Sequence, residues 1–341
     1  MRNRTLTVAL AALLAVAGLA QAGAHLPGEG VTLRPAVATW QDARPVEAIF
    51  SLIFEELGYQ VQDAVSLQNP IFYQSVALGD VDYWNAGWFP LHNAQLPSGF
   101  FDTASIVGTI VEKGAVQGYL VTRTAAEEFG ITTLEDFKRP EVKAAFDRTG
   151  DGRADLVACP AGWGCEEVIE HHLDVYDLRD HVNDLKADYT ASFADALASY
   201  RGGENVLYYT WTPNFTVFQM VPGEDSVWIG VPEIIPTEGQ EAVSEFMTVS
   251  GLEGAVSDPL EMGFAANDIQ NVANNDFLEA NPAAATILEL VEIDLVDISE
   301  MTLRINDGED SDAAVQAMAA EWIEENRGLV DEWIAAALAA H

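Results

Sequence analysis

Positive charge is scarce in this sequence. Its 341 residues include 16 Lys and Arg but 54 Asp and Glu, so the formal net charge is −38. A protein that binds nucleic acid needs cations to replace the counterions of the phosphates, and an anionic membrane surface makes the same demand. The composition therefore argues against both kinds of partner. Hydrophobic residues make up 49% of the chain, which is enough for a core and argues against a disordered acidic chain.

Lysine is the rarer of the two strong bases, with four residues against twelve arginines. Repulsion between like charges is screened within a few ångströms at about molar ionic strength, so a very acidic surface with little lysine suits a protein that faces concentrated salt. We therefore predict a halophilic protein. An acidic secreted protein without salt adaptation is the alternative.

Long apolar runs are lacking beyond the first 24 residues. Those residues have the parts of a secretory signal: Arg2 and Arg4, an apolar run over 6–19, and small residues that place the cleavage after Ala22 or as late as residue 24. The run is too short and too rich in alanine to span a membrane well. No cysteine stands at the cleavage site to carry a lipid. We predict a signal peptide at 1–22 and a periplasmic mature protein, whose formal charge is −40 because two arginines are removed.

Cysteine is limited to Cys159 and Cys165, in the sequence Cys-Pro-Ala-Gly-Trp-Gly-Cys. An exported chain meets an oxidising compartment, so we predict an intrachain disulfide between them. A metal site needs more ligands than this pair supplies, and a redox pair normally has closer spacing. Because the closed ring is small, its main effect should be to fix a loop rather than to raise global stability.

The sequence does contain a regular alternation of strand and helix patterns. Strand-like segments lie at 31–39, 59–65, 81–85, 115–122 and 206–211. Helical spacing is found at 46–57, before residue 78, at 133–146, 166–177 and 193–200, from residue 282, and at 313–340, where Trp322, Leu329 and Trp333 fall on one stripe. This order predicts an α/β fold with helices on both faces of the sheets. The length exceeds what one hydrophobic core usually serves, so we expect two lobes joined by crossing strands.

Three tryptophans share an unusual position, at the end of a strand and next to Pro or Gly: Trp88, Trp163 and Trp211. Ligands of open α/β sheets bind beyond the carboxyl ends of strands, so we expect these residues to converge on one cleft. A quaternary ammonium has no N–H to donate, and only ring faces compensate for the loss of its water, each by about 0.5–2 kcal/mol. The pattern predicts a cation cage. For each tryptophan taken alone, packing in the core is the alternative.

The residues after Trp163 also predict an anion site. Gly164 and Cys165 open a predicted helix, so their backbone N–H groups should lack helical partners, and the helix dipole favours a negative charge there. His92, four residues after Trp88, offers a further donor through its imidazole N–H. A cation cage beside an anion site suits a small zwitterion with a trimethylammonium group and a carboxylate, which is betaine chemistry.

At these residues the sequence resembles the glycine betaine/proline betaine-binding proteins of ABC importers, the ProX type. The matching segments cover nearly the whole mature chain in order: Leu26-Pro27-Gly28, Trp88 with Pro90-Leu91-His92-Asn93, Gln117-Gly118-Tyr119-Leu120, Asp151-Gly152-Arg153-Ala154-Asp155-Leu156, Gly162-Trp163-Gly164-Cys165-Glu166, Tyr208-Tyr209-Thr210-Trp211-Thr212-Pro213 and Asn281-Pro282-Ala283-Ala284-Ala285. The loop at 162–166 is the most specific of them. The sequence departs from the family over 233–261 and at Phe89, where the family has a smaller polar residue.

The resemblance implies a two-lobed periplasmic binding protein, type II-like, with the ligand cleft between the lobes. Lobe 1 would comprise 25–112 plus 266–341, and lobe 2 would comprise 113–265. The resemblance also implies a monomer that captures glycine betaine, proline betaine or a related quaternary ammonium zwitterion. The partner that receives the ligand is then an ABC permease in the inner membrane.

Residue roles follow from the same resemblance. The box for the ammonium is formed by Trp88, Trp163 and Trp211. The carboxylate is held by His92 and by the backbone N–H groups of Gly164 and Cys165.

Two other functions stay open. A receptor for choline or carnitine would use the same aromatic box. So would an exported enzyme that acts on choline-like esters, but the sequence has no recognisable nucleophile paired with a base. It also lacks Gly-x-Ser-x-Gly, a phosphate-binding glycine-rich loop and His-Glu-x-x-His. We predict no enzyme activity and no cofactor.

One acidic segment resembles a calcium loop. Residues 147–155 match its first nine positions, but Ala158 stands where the loop needs a bidentate Glu. A turn formed by Asp and Gly is the preferred interpretation, and calcium binding is the alternative.

A second candidate metal site is His171 and His172 with Glu167 and Glu170. Adjacent residues on a helix point to different faces, so a solvated helix is favoured and no metal is predicted. The remaining tryptophans that we considered are predicted to pack in the core: Trp84, Trp228, Trp322 and Trp333.

Overall fold

The computed structural model describes residues 25–341, so the predicted signal peptide lies outside the described residues. The α-helices of this range are α1 (Ala43–Glu56), α2 (Asn69–Leu78), α3 (Arg123–Phe129), α4 (Pro140–Ala145), α5 (Gly164–Val175), α6 (Tyr189–Arg201), α7 (Thr216–Gln219), α8 (Asn275–Ala280), α9 (Pro282–Leu290), α10 (Leu295–Asn306), α11 (Asp312–Glu325) and α12 (Arg327–Ala340). Short 3-10 helices lie at Leu91–Gln95, Phe100–Asp102, Leu134–Lys138 and Glu241–Met247.

The strands of the same range are mostly short. They are β1 (Thr32–Leu33), β2 (Ala36–Ala38), β3 (Gln60–Val61), β4 (Val65–Leu67), β5 (Tyr83–Phe89), β6 (Ala104–Ala115), β7 (Gln117–Thr122), β8 (Ala154–Val157), β9 (Val182–Leu185), β10 (Leu207–Trp211), β11 (Ser226–Ile229), β12 (Thr248–Val249), β13 (Leu260–Glu261) and β14 (Asn267–Asn274). The predicted alternation of strand and helix is therefore confirmed as an α/β fold.

The larger sheet, which we call sheet 2, has the strand order β11-β7-β10-β8-β9. Strand β8 runs parallel to β9 and β10, whereas β7 runs antiparallel to β10 and β11. In the pairing of β7 with β10, Gln117 stands opposite Trp211. The start of β7 and the ends of β8 and β10 therefore meet at one edge of sheet 2.

The other large sheet, sheet 1, has the order β5-β14-β6, and β14 is antiparallel to both neighbours. The parallel pair β2 and β4 joins its edge through a bridge between Pro35 and Tyr83. Sheet 1 thus repeats the plan of sheet 2, with three parallel strands, one antiparallel strand and a further edge strand. We call the elements packed on sheet 1 lobe 1 and those packed on sheet 2 lobe 2.

The chain passes from sheet 1 to sheet 2 over very few residues. Strand β6 pairs within sheet 1 as far as Ala115, and β7 enters sheet 2 at Gln117. The return is longer: β11 ends at Ile229, the separate pair β12–β13 follows, and β14 begins in sheet 1 at Asn267. Residues of both sheets line one cavity, so the cleft lies between the two lobes.

The helix predictions succeed where the apolar spacing is regular. Helix α1 buries Val46, Ile49, Phe50 and Ile53 on one face, and the chain turns at Gly58, whose φ of +89° favours glycine. The predicted start of a helix at residue 282 is confirmed by α9, with Pro at its first position.

Other predicted elements are divided, for identifiable reasons. The strand expected at 31–39 forms β1 and β2, because Pro35 between them has no N–H for the ladder. The helix expected at 133–146 is a 3-10 turn followed by α4, which starts at Pro140. The expected helix at 313–340 is two helices, and Leu329 is 43% exposed, so it does not share the buried position of Trp322 and Trp333.

The tryptophans predicted to pack do so. Trp84 stacks on Phe72 with ring centroids 4.0 Å apart, and Trp228 is fully buried. Trp322 and Trp333 stack at 6.5 Å between α11 and α12. Within the described part of the chain, no helix has both the length and the apolar character needed to cross a membrane.

Candidate functional site

One cavity between the two lobes collects every residue that the sequence singled out for binding. The six predicted residues on its wall are Trp88, His92, Trp163, Gly164, Cys165 and Trp211. Four residues that sequence reasoning did not assign complete the lining: Trp40, Leu91, Gln117 and Tyr209.

The strand plan explains this convergence. Trp88 lies near the end of β5 in sheet 1, and Trp211 is the last residue of β10 in sheet 2. Trp163 lies in the loop that leads from β8 into α5. All three positions lie beyond or at the carboxyl ends of parallel strands, where open α/β sheets bind ligands.

The rings in the cavity meet mostly edge to face. The centroids of Trp163 and Trp211 lie 5.5 Å apart at 83°, and those of Trp40 and Trp163 lie 5.4 Å apart at 70°. Tyr209 lies 5.9 Å from Trp211 at 32°. Each of the four cavity tryptophans is less than 10% exposed. The result is a nearly dry aromatic wall, and such a wall compensates a desolvated organic cation more strongly than exposed rings do.

The indole N–H groups of two of these rings bind acceptors in lobe 1. Trp163 Nε1 donates to Thr39 Oγ1 at 2.8 Å, and Trp211 Nε1 donates to Asp42 Oδ1 at 3.1 Å. Asp42 is 3% exposed, and burial raises the pKa of its carboxyl to about 7, against the opposing effect of the Trp211 hydrogen bond. The segment 39–42 therefore fixes the orientation of both rings across the cleft.

A third contact joins the lobes beside these two. Gln68 Nε2 donates to the carbonyl of Ala161 at 3.2 Å. A wider recess begins there and shares Trp40, Trp163 and Trp211 with the aromatic cavity.

The anion end of the cavity is the start of α5. Trp163 is the N-cap residue and makes no side-chain cap. Among the described residues, no acceptor is hydrogen-bonded to the N–H of Gly164 or Cys165. These two donors and the dipole of a 12-residue helix favour a negative group at this position.

Close packing explains why the first residue of α5 is glycine. A Cβ atom on Gly164 would lie 3.0 Å from side-chain carbons of Leu91 and His92, which is tighter than ordinary contact. The loop before the helix is held by the Cys159–Cys165 disulfide, with Cα atoms 5.9 Å apart, so the predicted disulfide is confirmed. Glu166 Oε2 also accepts the N–H of Gly162 at 2.8 Å.

His92 is buried and neutral. It is 2% exposed, and burial lowers the pKa of its imidazole to about 3. The backbone N–H of Trp88 donates to Nδ1 at 3.1 Å, and the Tyr73 hydroxyl lies 2.6 Å from the same atom. Nε2 lies 2.9 Å from Nδ2 of Asn69, an amide nitrogen that carries donors only. Both ring nitrogens thus face donors of the protein, and the role of His92 as a donor to the ligand stays a prediction.

Sequence reasoning missed residues for which a signal was present. Trp40 follows a strand and precedes a helix, as Trp163 does. Gln117 is 1% exposed, accepts the Tyr209 hydroxyl on Oε1 at 2.8 Å, and has no partner for Nε2 within residues 25–341. Gln117 and Tyr209 are both part of the motifs that carry the family resemblance.

Phe89 lies beside the cavity rather than on its wall. Its ring centroid is 6.1 Å from that of His92 and 6.3 Å from that of Tyr73. The divergent segment 233–261 contains the 3-10 helix before β12 and the strand pair β12–β13. Gln240, which belongs to this segment, donates from Nε2 to the carbonyl of Leu91 at 3.5 Å and so links the segment to the cavity wall.

The loop at 147–155 satisfies its acidic residues internally. Asp147 accepts the backbone N–H groups of Gly150, Asp151 and Gly152 at 2.7–3.1 Å. The Asp155 carboxylate accepts backbone N–H groups from residues 148 and 149. This pattern is typical of a turn stabilised by an Asp side chain.

The helix with the paired histidines is not solvated along its whole face, so that expectation was wrong at His172. Its side chain is fully buried, the Tyr119 hydroxyl lies 2.9 Å from its Nδ1, and burial lowers the pKa of its imidazole to about 3. His171 binds the carbonyl of Ile235 at 2.9 Å instead, so the two rings have separate partners. Residues 25–341 contain no cluster of three or more His, Cys, Asp or Glu placed to hold a metal.

Comparison with solved structures defines the class of protein. Lactococcal OpuAC, in its closed form with glycine betaine, matches 89% of this chain and 99% of its own with a TM-score of 0.67 at 17% identity. An ABC-transporter choline-binding protein in complex with choline matches 91% of this chain and 96% of its own with a TM-score of 0.68 at 19% identity. The fold is therefore that of a two-lobed periplasmic binding protein, as predicted.

Comparison of sequences gives the family. Residues 31–325 match the family model of the substrate-binding domain of ABC-type glycine betaine transport systems. The chain is 35% identical to the glycine betaine-binding periplasmic protein OusX of Dickeya dadantii, over 100% of this chain and 99% of that protein. It is 33% identical to the glycine betaine/proline betaine-binding periplasmic protein of Salmonella typhimurium, over 93% of each. The chain belongs to this family of ABC-transporter substrate-binding proteins, which confirms the resemblance.

Proposed function

We propose that this chain captures glycine betaine or proline betaine in the periplasm for an osmoprotectant importer. The observation that carries the proposal is a single cavity that combines tryptophan faces with two free helix N–H groups. Relatives at 32–35% identity are named for binding the same ligands, which supports it.

The trimethylammonium group lies among Trp88, Trp163 and Trp211. It has no hydrogen to donate, so ring faces replace its water. Three rings contribute about 2–6 kcal/mol together, which is a large share of the roughly 8 kcal/mol of a micromolar affinity.

The carboxylate lies at the start of α5, on the N–H groups of Gly164 and Cys165. Hydrogen bonds to a charged acceptor are stronger than neutral ones, and the helix dipole adds to them. His92, which lies on the same wall, contributes a ring N–H as a third donor when the carboxylate is bound. The disulfide keeps this donor set in one geometry.

Ligand capture closes the cleft, because the ligand contacts both lobes and stabilises the arrangement in which they are close. The division into 25–112 plus 266–341 and 113–265 is supported by sheet membership to within a few residues, since β6 ends at Ala115 and β14 begins at Asn267. The receptor works as a monomer and presents its ligand to an ABC permease in the inner membrane. Removal of 1–22 and release into the periplasm are supported by the periplasmic names of the relatives.

The cavity favours a betaine over the alternatives. Choline has no carboxylate, so it would leave the N–H groups of Gly164 and Cys165 without an acceptor, and a buried donor without a partner is costly. An esterase would need a nucleophile on the wall, but the one thiol there, Cys165, is oxidised in the disulfide.

Calorimetry on the Trp163→Ala variant tests the proposal. We expect glycine betaine affinity to fall more than tenfold, because one wall of the cation site is removed. Trp333→Ala, which removes a buried tryptophan that is not on the cavity wall, is the control and should bind like the wild type. Equal affinity of Trp163→Ala and the wild type would exclude the cage.

A thermal-shift panel distinguishes the ligands. A compound that binds the folded state raises the melting temperature, so glycine betaine, proline betaine, carnitine and choline can be ranked in one measurement. We expect the two betaines to give the largest shifts. A larger shift with choline would favour the alternative receptor.

The acidic surface belongs to the same proposal, since an osmoprotectant receptor works where external salt is high. With a formal charge of −40 after removal of 1–22, the mature protein should lose several degrees of melting temperature when salt is removed. A net-neutral betaine feels little long-range field, so its affinity should change little. An unchanged melting temperature in dilute buffer would contradict salt adaptation.

A further inference from the structure

Trp40 occupies the position in lobe 1 that Trp163 occupies in lobe 2. Trp40 lies in the loop between β2 and α1, and Trp163 lies in the loop between β8 and α5. Strands β2 and β8 are each the middle strand of the three parallel strands of their sheet. The two loops therefore leave equivalent points of two sheets with the same plan.

The other two cavity tryptophans form a second equivalent pair. Trp88 is the second-last residue of β5 and Trp211 is the last residue of β10, and each of these strands adjoins the antiparallel strand of its sheet. A proline follows each tryptophan by two residues, at Pro90 and Pro213. Four tryptophans thus reach the cleft as two pairs, although only three of them were predicted to bind.

The contacts of Trp40 place its ring at the cavity. It is 6% exposed, lines the cavity wall and meets Trp163 edge to face at 5.4 Å. Its neighbours on either side, Thr39 and Asp42, accept the indole N–H groups of Trp163 and Trp211. The same loop that carries Trp40 therefore holds the two predicted cage rings from the opposite lobe.

We infer that Trp40 is a fourth wall of the cation site and contributes to selection of a quaternary ammonium over uncharged groups of the same shape. This inference rests on the proposed function. A fourth ring surrounds the cation more completely, and its contribution depends on the positive charge rather than on shape alone.

The test compares two compounds of nearly the same shape. Glycine betaine has a trimethylammonium group, and 3,3-dimethylbutanoate has an uncharged tert-butyl group in its place, so the ratio of their affinities measures the contribution of the cation. We expect Trp40→Leu to reduce this ratio by about threefold to thirtyfold in calorimetry. Trp333→Leu, also at a tryptophan that is 6% exposed, is the matched control and should leave the ratio unchanged.

Each outcome decides the inference. A loss of affinity that is equal for both compounds, or no loss, would mean that Trp40 only packs, and would overturn it. If the leucine variant does not fold, Trp40→Phe fills the space with a ring that attracts cations less than indole, so its ratio should fall by a smaller factor; an unchanged ratio overturns the inference. If the wild-type protein binds neither compound, the proposed function fails and this inference falls with it.

Discussion

In lobe 1 the helix that faces the cavity starts after Asp42, whereas in lobe 2 it starts at Gly164 with free N–H groups. The strands that lead to both helices follow the same plan, and a tryptophan precedes each helix. Both lobes thus supply aromatic rings to the cavity, but one lobe supplies an acceptor and the other supplies donors. Lobe 1 presents a buried carboxyl behind Trp211, and lobe 2 presents two amide donors. In the binding mode that we propose, this difference orients the zwitterion in one direction within an otherwise similar pair of lobes.

The loops before the two helices also differ in length. Between β2 and α1 lie four residues, 39–42, whereas six residues, 158–163, lie between β8 and α5. The longer loop carries the disulfide, and the shorter one has no covalent restraint. A longer loop has more freedom to lose, so covalent fixation is most useful where the anion donors must keep one geometry.

The largest expected effect tests the pairing of Trp88 with Trp211. Each change to Leu should weaken glycine betaine binding at least tenfold in calorimetry. Trp211→Leu should weaken binding more than Trp88→Leu, because it also leaves the buried Asp42 carboxyl without its indole donor. A larger loss of affinity for Trp88→Leu would contradict the role assigned to the hydrogen bond between Trp211 and Asp42.

The second prediction addresses the anion end. Gly164→Val should weaken binding about tenfold, because its side chain collides with Leu91 and His92 and holds the lobes apart. Gly328→Val adds the same side chain near the start of α12, where nothing lies within 4 Å of the new Cβ. Equal affinities of the two variants would show that close approach at Gly164 is not needed.

The third prediction concerns the disulfide. The double change of Cys159 and Cys165 to Ser should weaken glycine betaine binding severalfold, because the N–H donors lose their fixed loop. The melting temperature should fall by only a few degrees, since a small ring removes limited chain entropy. A large loss of stability with unchanged affinity would reverse this assignment.

The smallest expected effect is on the pH dependence of the free energy of unfolding, which has opposite signs for one group in lobe 1 and one group in lobe 2. Burial raises the pKa of Glu47 in lobe 1 to about 7, from 4.5, whereas burial lowers that of His172 in lobe 2 to about 3. The contribution of Glu47 to the free energy of unfolding therefore falls as pH rises from about 4.5 to about 7, because the carboxyl ionises in the unfolded state before it ionises in the folded state. Stability from His172 falls instead as pH drops below about 6.5.

Glu47→Gln isolates the first trend. Its free energy of unfolding, relative to the wild type, should rise by about 3 kcal/mol between pH 4 and pH 8 in urea titrations. Ser51 donates to Glu47 Oε1 at 2.5 Å and retains an acceptor in the glutamine variant. Glu167→Gln, on the exposed face of α5, is the control. A flat difference for Glu47→Gln would mean that its carboxyl is hydrated in solution.

Much of the candidate site could be predicted from local signals in the sequence. A tryptophan at a strand end and a Gly-Cys pair at a helix start are short-range patterns, and the structure brings all six predicted residues to one cavity. Local patterns failed where a partner far along the chain decides the outcome. The buried state of His172 depends on packing against Tyr119 and Phe264, and no spacing on its own helix reveals those contacts.

The sequence by itself determined the α/β alternation, the disulfide, the family and the chemistry of the ligand that we propose, because each depends on residue types at short spacing. Only the tertiary structure decided that Trp40 joins the cavity and that Thr39 and Asp42 hold the rings of the other lobe. Asp42 and Trp211 are 169 residues apart in the chain. They meet because two sheets with the same plan face each other across one cleft, which is a property of strand pairing rather than of any local pattern.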